Sequence, residues 1–183
     1  MPTFLRAAAA AAALAAAPAI PALAQAEGAE AAAVEAVPAD VASEDAIIEA
    51  LYDVISGPAG PRDWDRFRSL FAPGARLIPI AAPEDGAARA VVWTVEDYVA
   101  RAGAGFAENA FYETEIARSS ERYGGLTHAF STYEARREPD ADPFMRGINS
   151  IQLLDDGQRW WIVTVFWQPE TEAYPLPARY LPD

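Results

Sequence analysis

The chain holds a single histidine, His128, and no cysteine. An imidazole titrates near neutral pH, so His128 could serve as a general base or proton relay in a pocket. On an extended strand it shares a face with Phe130, Thr132 and Glu134, and Glu134 would be its carboxylate partner. Residues six apart on one strand are about 20 Å apart, which opposes direct contact. The competing reading is a core histidine held by a hydrogen bond. One histidine excludes a histidine-rich metal site, the absence of cysteine excludes thiolate chemistry, and no acidic-loop motif occurs. No metal and no cofactor is therefore expected.

Arg146 stands near Glu134, Arg136 and Arg137. A guanidinium there could hold an anionic group in bidentate fashion, or the four could form a surface ion-pair network of small energetic weight. Asn149, Gln152 and Thr164 are polar residues within otherwise apolar stretches. Each is either a ligand contact or a group satisfied across a ladder or interface. Trp160, Trp161, Phe166 and Trp167 crowd one segment; some must be core, and Trp167 is the candidate pocket wall. Glu113 and Glu115 have no evident partner. There is no nucleophile elbow and no glycine-rich phosphate loop.

These residues need elements to position them. Ser43 or Asp45 can cap a helix in which Ile47, Ile48, Leu51, Tyr52 and Ile55 recur at helical spacing. Gly57-Pro58 and Gly60-Pro61 stop it. Asp63 opens a shorter helix with Trp64, Phe67, Leu70 and Phe71 on one face. Residues 75–80 and 91–93 read as short strands. Thr94 and Asp97 form a capping box for a third helix, with Val95, Tyr98, Val99 and Ala102 inward, fading near residues 103–105. The period then changes to two, which predicts strands at 111–119, 127–136, 146–154 and 160–167.

Asp156-Gly157 suits a two-residue hairpin turn. That register places Asn149, Ile151 and Leu153 beside Thr164, Ile162 and Trp160. Both sheet faces carry many apolar residues, so both are expected to be covered. Helices followed by a long meander predict an α+β fold.

The ends carry a different signal. Residues 1–26 run from a short basic start with Arg6 through an alanine-rich apolar core to small residues at 22–26. That is the layout of a cleavable export signal, with cleavage near Ala24 or Ala26. The apolar run is too short to span a bilayer, and the mature chain has no cysteine to lipidate, so no membrane anchor is expected. The expected location is periplasmic or secreted. Residues 27–43 read as a flexible acidic tether, residues 44–168 as one domain, and residues 169–183 as a proline-rich tail running extended over the surface. The net charge of −13 becomes −14 once Arg6 is removed, which disfavours nucleic acid and anionic membrane surfaces as partners.

The helix pair DAIIEALYDVIS and DWDRFRSLFAPGARLIPI, the TVEDYV helix and the strands LTHAFSTYEARRE, RGINSIQLL and DGQRWWIVTVFW together resemble the nuclear transport factor 2-like family. That cone-shaped fold is shared by ketosteroid isomerase, scytalone dehydratase, limonene epoxide hydrolase and SnoaL-like polyketide cyclases. The resemblance covers residues 43–168. It implies a cone-shaped roll with three helices on a strongly curved antiparallel or mixed sheet, an apolar pocket on the concave face, and a homodimer through the outer face. The family's catalytic sets do not map onto these strands residue by residue. The expected function is binding of a small apolar or amphipathic ligand in the cone. The alternatives are a lyase, isomerase or hydrolase using His128 with a pocket carboxylate, and a protein-interaction module.

Overall fold

Ser43 starts the first helix: its hydroxyl accepts from the Ala46 N–H at 3.1 Å, the bond that a helix N-cap supplies. In this computed structural model, which describes residues 34–81 and 87–182, α1 then runs Glu44–Ile55. All five residues expected to face inward are buried, with Ala50 and Val54 added. Gly57, at φ 153°, turns the chain out of the helix. The Arg62 guanidinium holds this turn by donating to the carbonyls of Ile55, Gly57 and Pro58 at 2.8, 2.9 and 2.9 Å.

Helix α2 spans Trp64–Ser69, capped by the Asp63 carboxylate. It is shorter than its apolar pattern suggests. Leu70 and Phe71 leave the helix, and Phe71 opens strand β1, Phe71–Ala81. Strand β2 is Arg89–Ala90, two residues before the expected 91–93; Trp93 contributes only an isolated bridge to Leu77.

The capping box forms as expected. The Thr94 hydroxyl accepts from the Asp97 N–H at 3.1 Å, and the Asp97 carboxylate accepts from the Thr94 N–H at 2.9 Å. Helix α3 runs Val95–Glu108, past the point where glycine was expected to end it. The Trp64 indole packs on the helix at Gly103, where a Cβ would lie 3.5 Å from the ring, an ordinary contact. The extra turn brings Phe106 onto Phe111, ring centroids 5.0 Å apart.

Strands β3 (Tyr112–Tyr123), β4 (Leu126–Arg136), β5 (Met145–Asp155) and β6 (Trp160–Pro169) form an antiparallel meander. Strand β1 adds in parallel to β6, giving the order β2-β1-β6-β5-β4-β3. The architecture is α+β, three helices on one face of a six-stranded mixed sheet.

One sequence expectation about connections is corrected. The two-residue turn falls at Gly124-Gly125, where Tyr123 pairs with Leu126 and Gly124 takes φ 59°. Asp156-Gly157 belongs to a longer loop in which Asp155 pairs with Trp160, because the Asp156 carboxylate accepts from the N–H groups of Gln158 and Arg159, both at 2.8 Å. A bulge between Gln152 and Leu153 then shifts the β5–β6 register.

The expected signal segment, residues 1–26, lies outside the described residues, as do residues 27–33. The C-terminal part of the expected tether is structured. Residues Pro38–Val41 form a 3-10 turn, Val41 enters the core, and Asp40 pairs with Arg66 at 2.7 Å. One branched apolar side chain and one well-placed carboxylate suffice to dock what composition marks as a linker. The tail likewise folds back: the Tyr180 carbonyl accepts from the Thr132 hydroxyl at 2.7 Å, and its ring lies 4.9 Å from that of Phe130. Among the described residues no helix is long and apolar enough to cross a membrane.

Candidate functional site

The concave face of the sheet and the three helices enclose a cavity of about 120 Å³. The sheet supplies its walls by alternation. On β4 the inward residues are Thr127, Ala129, Ser131, Tyr133 and Ala135, all buried. On β5 they include Asn149 and on β6 Val165 and Trp167. Helix α1 brings Leu51, Tyr52 and Ile55, α2 brings Phe67, and α3 brings Tyr98. No residue of α3 is fully buried; Tyr98 faces the cavity, and Val95, Val99 and Phe106 pack against the core.

One carboxyl enters this wall, Glu113 of β3. Its backbone is pinned to the end of α1: the Ser56 hydroxyl accepts from the Glu113 N–H at 2.9 Å and lies 3.1 Å from its carbonyl. The bridge between Gly57 and Phe111, through bonds of 2.7 and 3.0 Å, fixes the same junction two residues earlier. Glu113 therefore points inward on the same face as Phe111.

The carboxylate accepts one long bond, from Asn149 Nδ2 at 3.3 Å, and has no cationic partner among the described residues. Burial raises its pKa from 4.5 to about 8, and the Asn149 bond offsets only part of that. The exposed part of its surface faces the cavity.

Asn149 also donates to the Tyr52 hydroxyl at 3.0 Å. Tyr52 lies 2.6 Å from Ser131 Oγ, which in turn donates to Glu115 at 2.5 Å. Glu115 is held by Arg118 at 2.7 Å. With Asn149 donating and Glu115 ionised, the chain has one direction: amide to phenol, phenol to serine, serine to carboxylate. Burial raises the pKa of Tyr52, Tyr98 and Tyr133, and the Glu113 charge raises each further. The hydroxyls of Tyr98 and Tyr133 make no hydrogen bond to protein among the described residues, and neither counts as a sealed polar atom without a partner. They remain free to meet a ligand. Gly147 backs the Tyr133 hydroxyl so closely that an added Cβ would lie 2.6 Å from it.

Of the residues singled out from sequence, Asn149 and Trp167 line this cavity. The others do not. His128 lies on the outer face with Phe130, its Nε2 2.9 Å from Ser150 Oγ and its ring 5.9 Å from the Phe130 ring. The face shared by His128, Thr132 and Glu134 is the outer one, so a role for His128 inside the cone is ruled out by strand alternation. Thr132 is buried there under the returning tail. Glu134 pairs with Arg136, and Arg146 with Glu170 at 2.9 Å. Arg137 lies over the Phe144 ring at 4.1 Å. The charged cluster is thus ordinary ion pairing at the sheet rim. Gln152 and Thr164 pair across β5 and β6 on the outer face; the bulge carries Thr164 away from Asn149 and puts Val165 and Trp167 inside.

Sequence reasoning missed Glu113, Tyr52, Tyr98 and Tyr133 as site residues. Glu113 had one signal, its place two residues after Phe111 on a strand, hence on an apolar face. Tyr52 and Tyr98 were read correctly as inward but as packing only.

No family model matches the chain, and no curated protein does. Solved structures do. A protein of unknown function with a cystatin-like fold from Nostoc punctiforme aligns at 9% identity and a TM-score of 0.53 over 69% of this chain and 87% of its own. A protein from Kribbella flavida aligns at 10% identity and a TM-score of 0.50, over 68% and 86%. A nuclear transport factor 2-like protein of unknown function from Methylobacillus flagellatus aligns at 15% identity and a TM-score of 0.46, over 70% and 95%. At such identities the likeness shows the fold alone: this chain has a cystatin-like fold.

Proposed function

We propose that the cone binds a small, mainly apolar ligand whose one polar group meets Glu113, Tyr98 or Tyr133. The observation that carries this reading is the cavity itself: aromatic walls around a single unpaired carboxyl and two uncommitted phenols. Such a set of convergent polar groups in an apolar hollow is what ligand sites have in common. The volume of about 120 Å³ bounds the ligand. A cavity of roughly 150 Å³ accepts benzene, so the ligand that fits without widening the cone is of that order, well short of a steroid. A thermal-shift screen of small aromatic and alicyclic compounds tests the reading. Stabilisation by members of that size class, lost in Tyr98→Trp, which fills the cavity, supports it. A flat response across the set refutes it.

One observation favours a second reading, proton-transfer catalysis. A carboxyl with a pKa near 8 holds both forms within about one pH unit of neutrality, as a general base that must take and return a proton requires. Glu113 would remove a proton beside a ligand carbonyl while the Tyr98 or Tyr133 hydroxyl donates to the developing oxyanion. Hydrogen–deuterium exchange at the α-carbon of small ketones, measured with wild type and Glu113→Gln, decides it: exchange must be accelerated and must depend on Glu113.

The same reading places the protein outside the cytoplasm, on the export layout of residues 1–26, and as a homodimer. The outer sheet face exposes Leu126, Leu154, Val163 and Phe166, an apolar surface that a second copy would cover. Sedimentation of wild type against Phe166→Glu reports on that interface.

A further inference from the structure

Among the described residues, six arginines each hold a carboxylate. Asp40 has Arg66, Glu96 has Arg68, Glu115 has Arg118, Asp155 has Arg122, Glu134 has Arg136 and Glu170 has Arg146. Glu113, set in the cavity wall, has none among the described residues. An enclosed carboxylate without a cation is unfavourable by several kcal/mol, unless something else supplies the positive charge.

Around Glu113 stand six aromatic rings: Tyr52, Phe67, Tyr98, Phe111, Tyr133 and Trp167. The π-faces of such rings attract organic cations, most strongly where water is excluded. The chain as a whole carries a net charge of −13, which draws cations toward it and repels anions. We propose that the ligand of the cone is a small organic ammonium ion, its nitrogen set against Glu113 and its alkyl groups against the aromatic wall. This rests on the cavity being a ligand site and names the class of ligand.

A carbonyl ligand would use the same cavity in the opposite charge state, accepting from a protonated Glu113, and so the two classes separate by pH. The titratable groups that face Glu113 are Tyr52 from α1, Tyr98 from α3 and Tyr133 from β4. Burial raises all three above their ordinary range, so they stay neutral between pH 6 and pH 9. Phe67 of α2, Leu77 of β1, Met145 and Asn149 of β5, and Val165 and Trp167 of β6 carry no ionisable group. On β3 itself, Glu115 is already neutralised by Arg118. Glu113 is the one wall group that changes charge in that interval.

The test compares choline with its uncharged isostere dimethylbutanol, in which carbon replaces the quaternary nitrogen, by calorimetric titration of the purified chain at pH 6, 7, 8 and 9. Choline is expected to bind at least about tenfold more tightly at pH 9. Its affinity should fall by roughly tenfold per pH unit once the pH lies below the carboxyl's pKa, because a proton must first leave. Glu113→Gln, which matches the protonated side chain in shape, should abolish the preference and its pH dependence. Equal or tighter binding of the alcohol at every pH overturns the ammonium assignment and leaves the cavity reading standing. A preference that survives in Glu113→Gln overturns the role of the carboxylate. Binding of neither probe removes both readings. The wild-type comparison stands on its own should the variant fold poorly.

Discussion

Replacing Glu113 with glutamine should change how stability depends on pH more than it changes stability at any one pH. The folded state holds this carboxyl at a pKa of about 8 against 4.5 for the free side chain. Between those values the folded protein keeps a proton that the unfolded chain has released, so stability falls as pH rises. Below 4.5 both states are protonated and the contribution is fully present; above about 8 both are ionised and it is gone. Each pH unit across that window is worth about 1.4 kcal/mol, which gives about 5 kcal/mol for the full displacement and roughly 3 kcal/mol if water in the cavity screens part of it. Glutamine does not titrate, so in Glu113→Gln this slope disappears while every other group is unchanged. Urea unfolding of both proteins at half-unit steps from pH 5 to pH 9 provides the comparison. The difference in unfolding free energy, wild type minus variant, should decline by about 2 to 4 kcal/mol from the acid to the alkaline end. Parallel curves would mean that Glu113 is solvated like a surface carboxylate, and the argument from its burial would fail with them.

The other predictions concern the groups that hold the site in shape. Tyr52→Phe removes the phenol between Asn149 and Ser131. It should cost roughly 1–2 kcal/mol of stability by denaturant melt, since Asn149 and Ser131 each keep one acceptor. Gly147→Ala puts a Cβ 2.5 Å from the Gln168 carbonyl and 2.6 Å from the Tyr133 hydroxyl; a loss of roughly 1–3 kcal/mol and weaker ligand binding are expected together. Thr94→Ala removes the hydroxyl half of the α3 capping box and leaves the backbone N–H to Asp97 in place; it should lower stability by about 1 kcal/mol, read as a fall in the urea midpoint. His128→Gln, on the outer face, should leave ligand binding unchanged by calorimetry, and a loss of binding would contradict the strand assignment.

The gap between what could be read in the sequence and what could not follows from the range over which each signal acts. Periodicity is local, so α1, the Thr94 cap and the meander were legible: Ile47, Leu51 and Ile55 announce their face without reference to anything else in the chain. Which side of a sheet is the inside is not local. The alternation of β4 separates His128, Phe130 and Thr132 from Ala129, Ser131 and Tyr133 in the sequence itself, but both sets contain apolar and polar members. Only the placement of the helices, and the return of the tail onto Thr132, decides between them. The same holds one level finer in β6, where a single bulge moves Trp167 inside and Thr164 out; no residue type there marks a bulge in advance. Glu113 was obscured for a different reason. A lone glutamate in a strand is ordinarily a solvated surface group, and what sets Glu113 apart is what is missing around it among the described residues: an arginine. In a chain that pairs Glu115, Glu134 and Glu170 with arginines, the unpaired carboxyl stands out only after the pairs have been drawn in space. The residue carrying the most chemistry is thus identified by an absent neighbour, and an absent neighbour is a property of the fold.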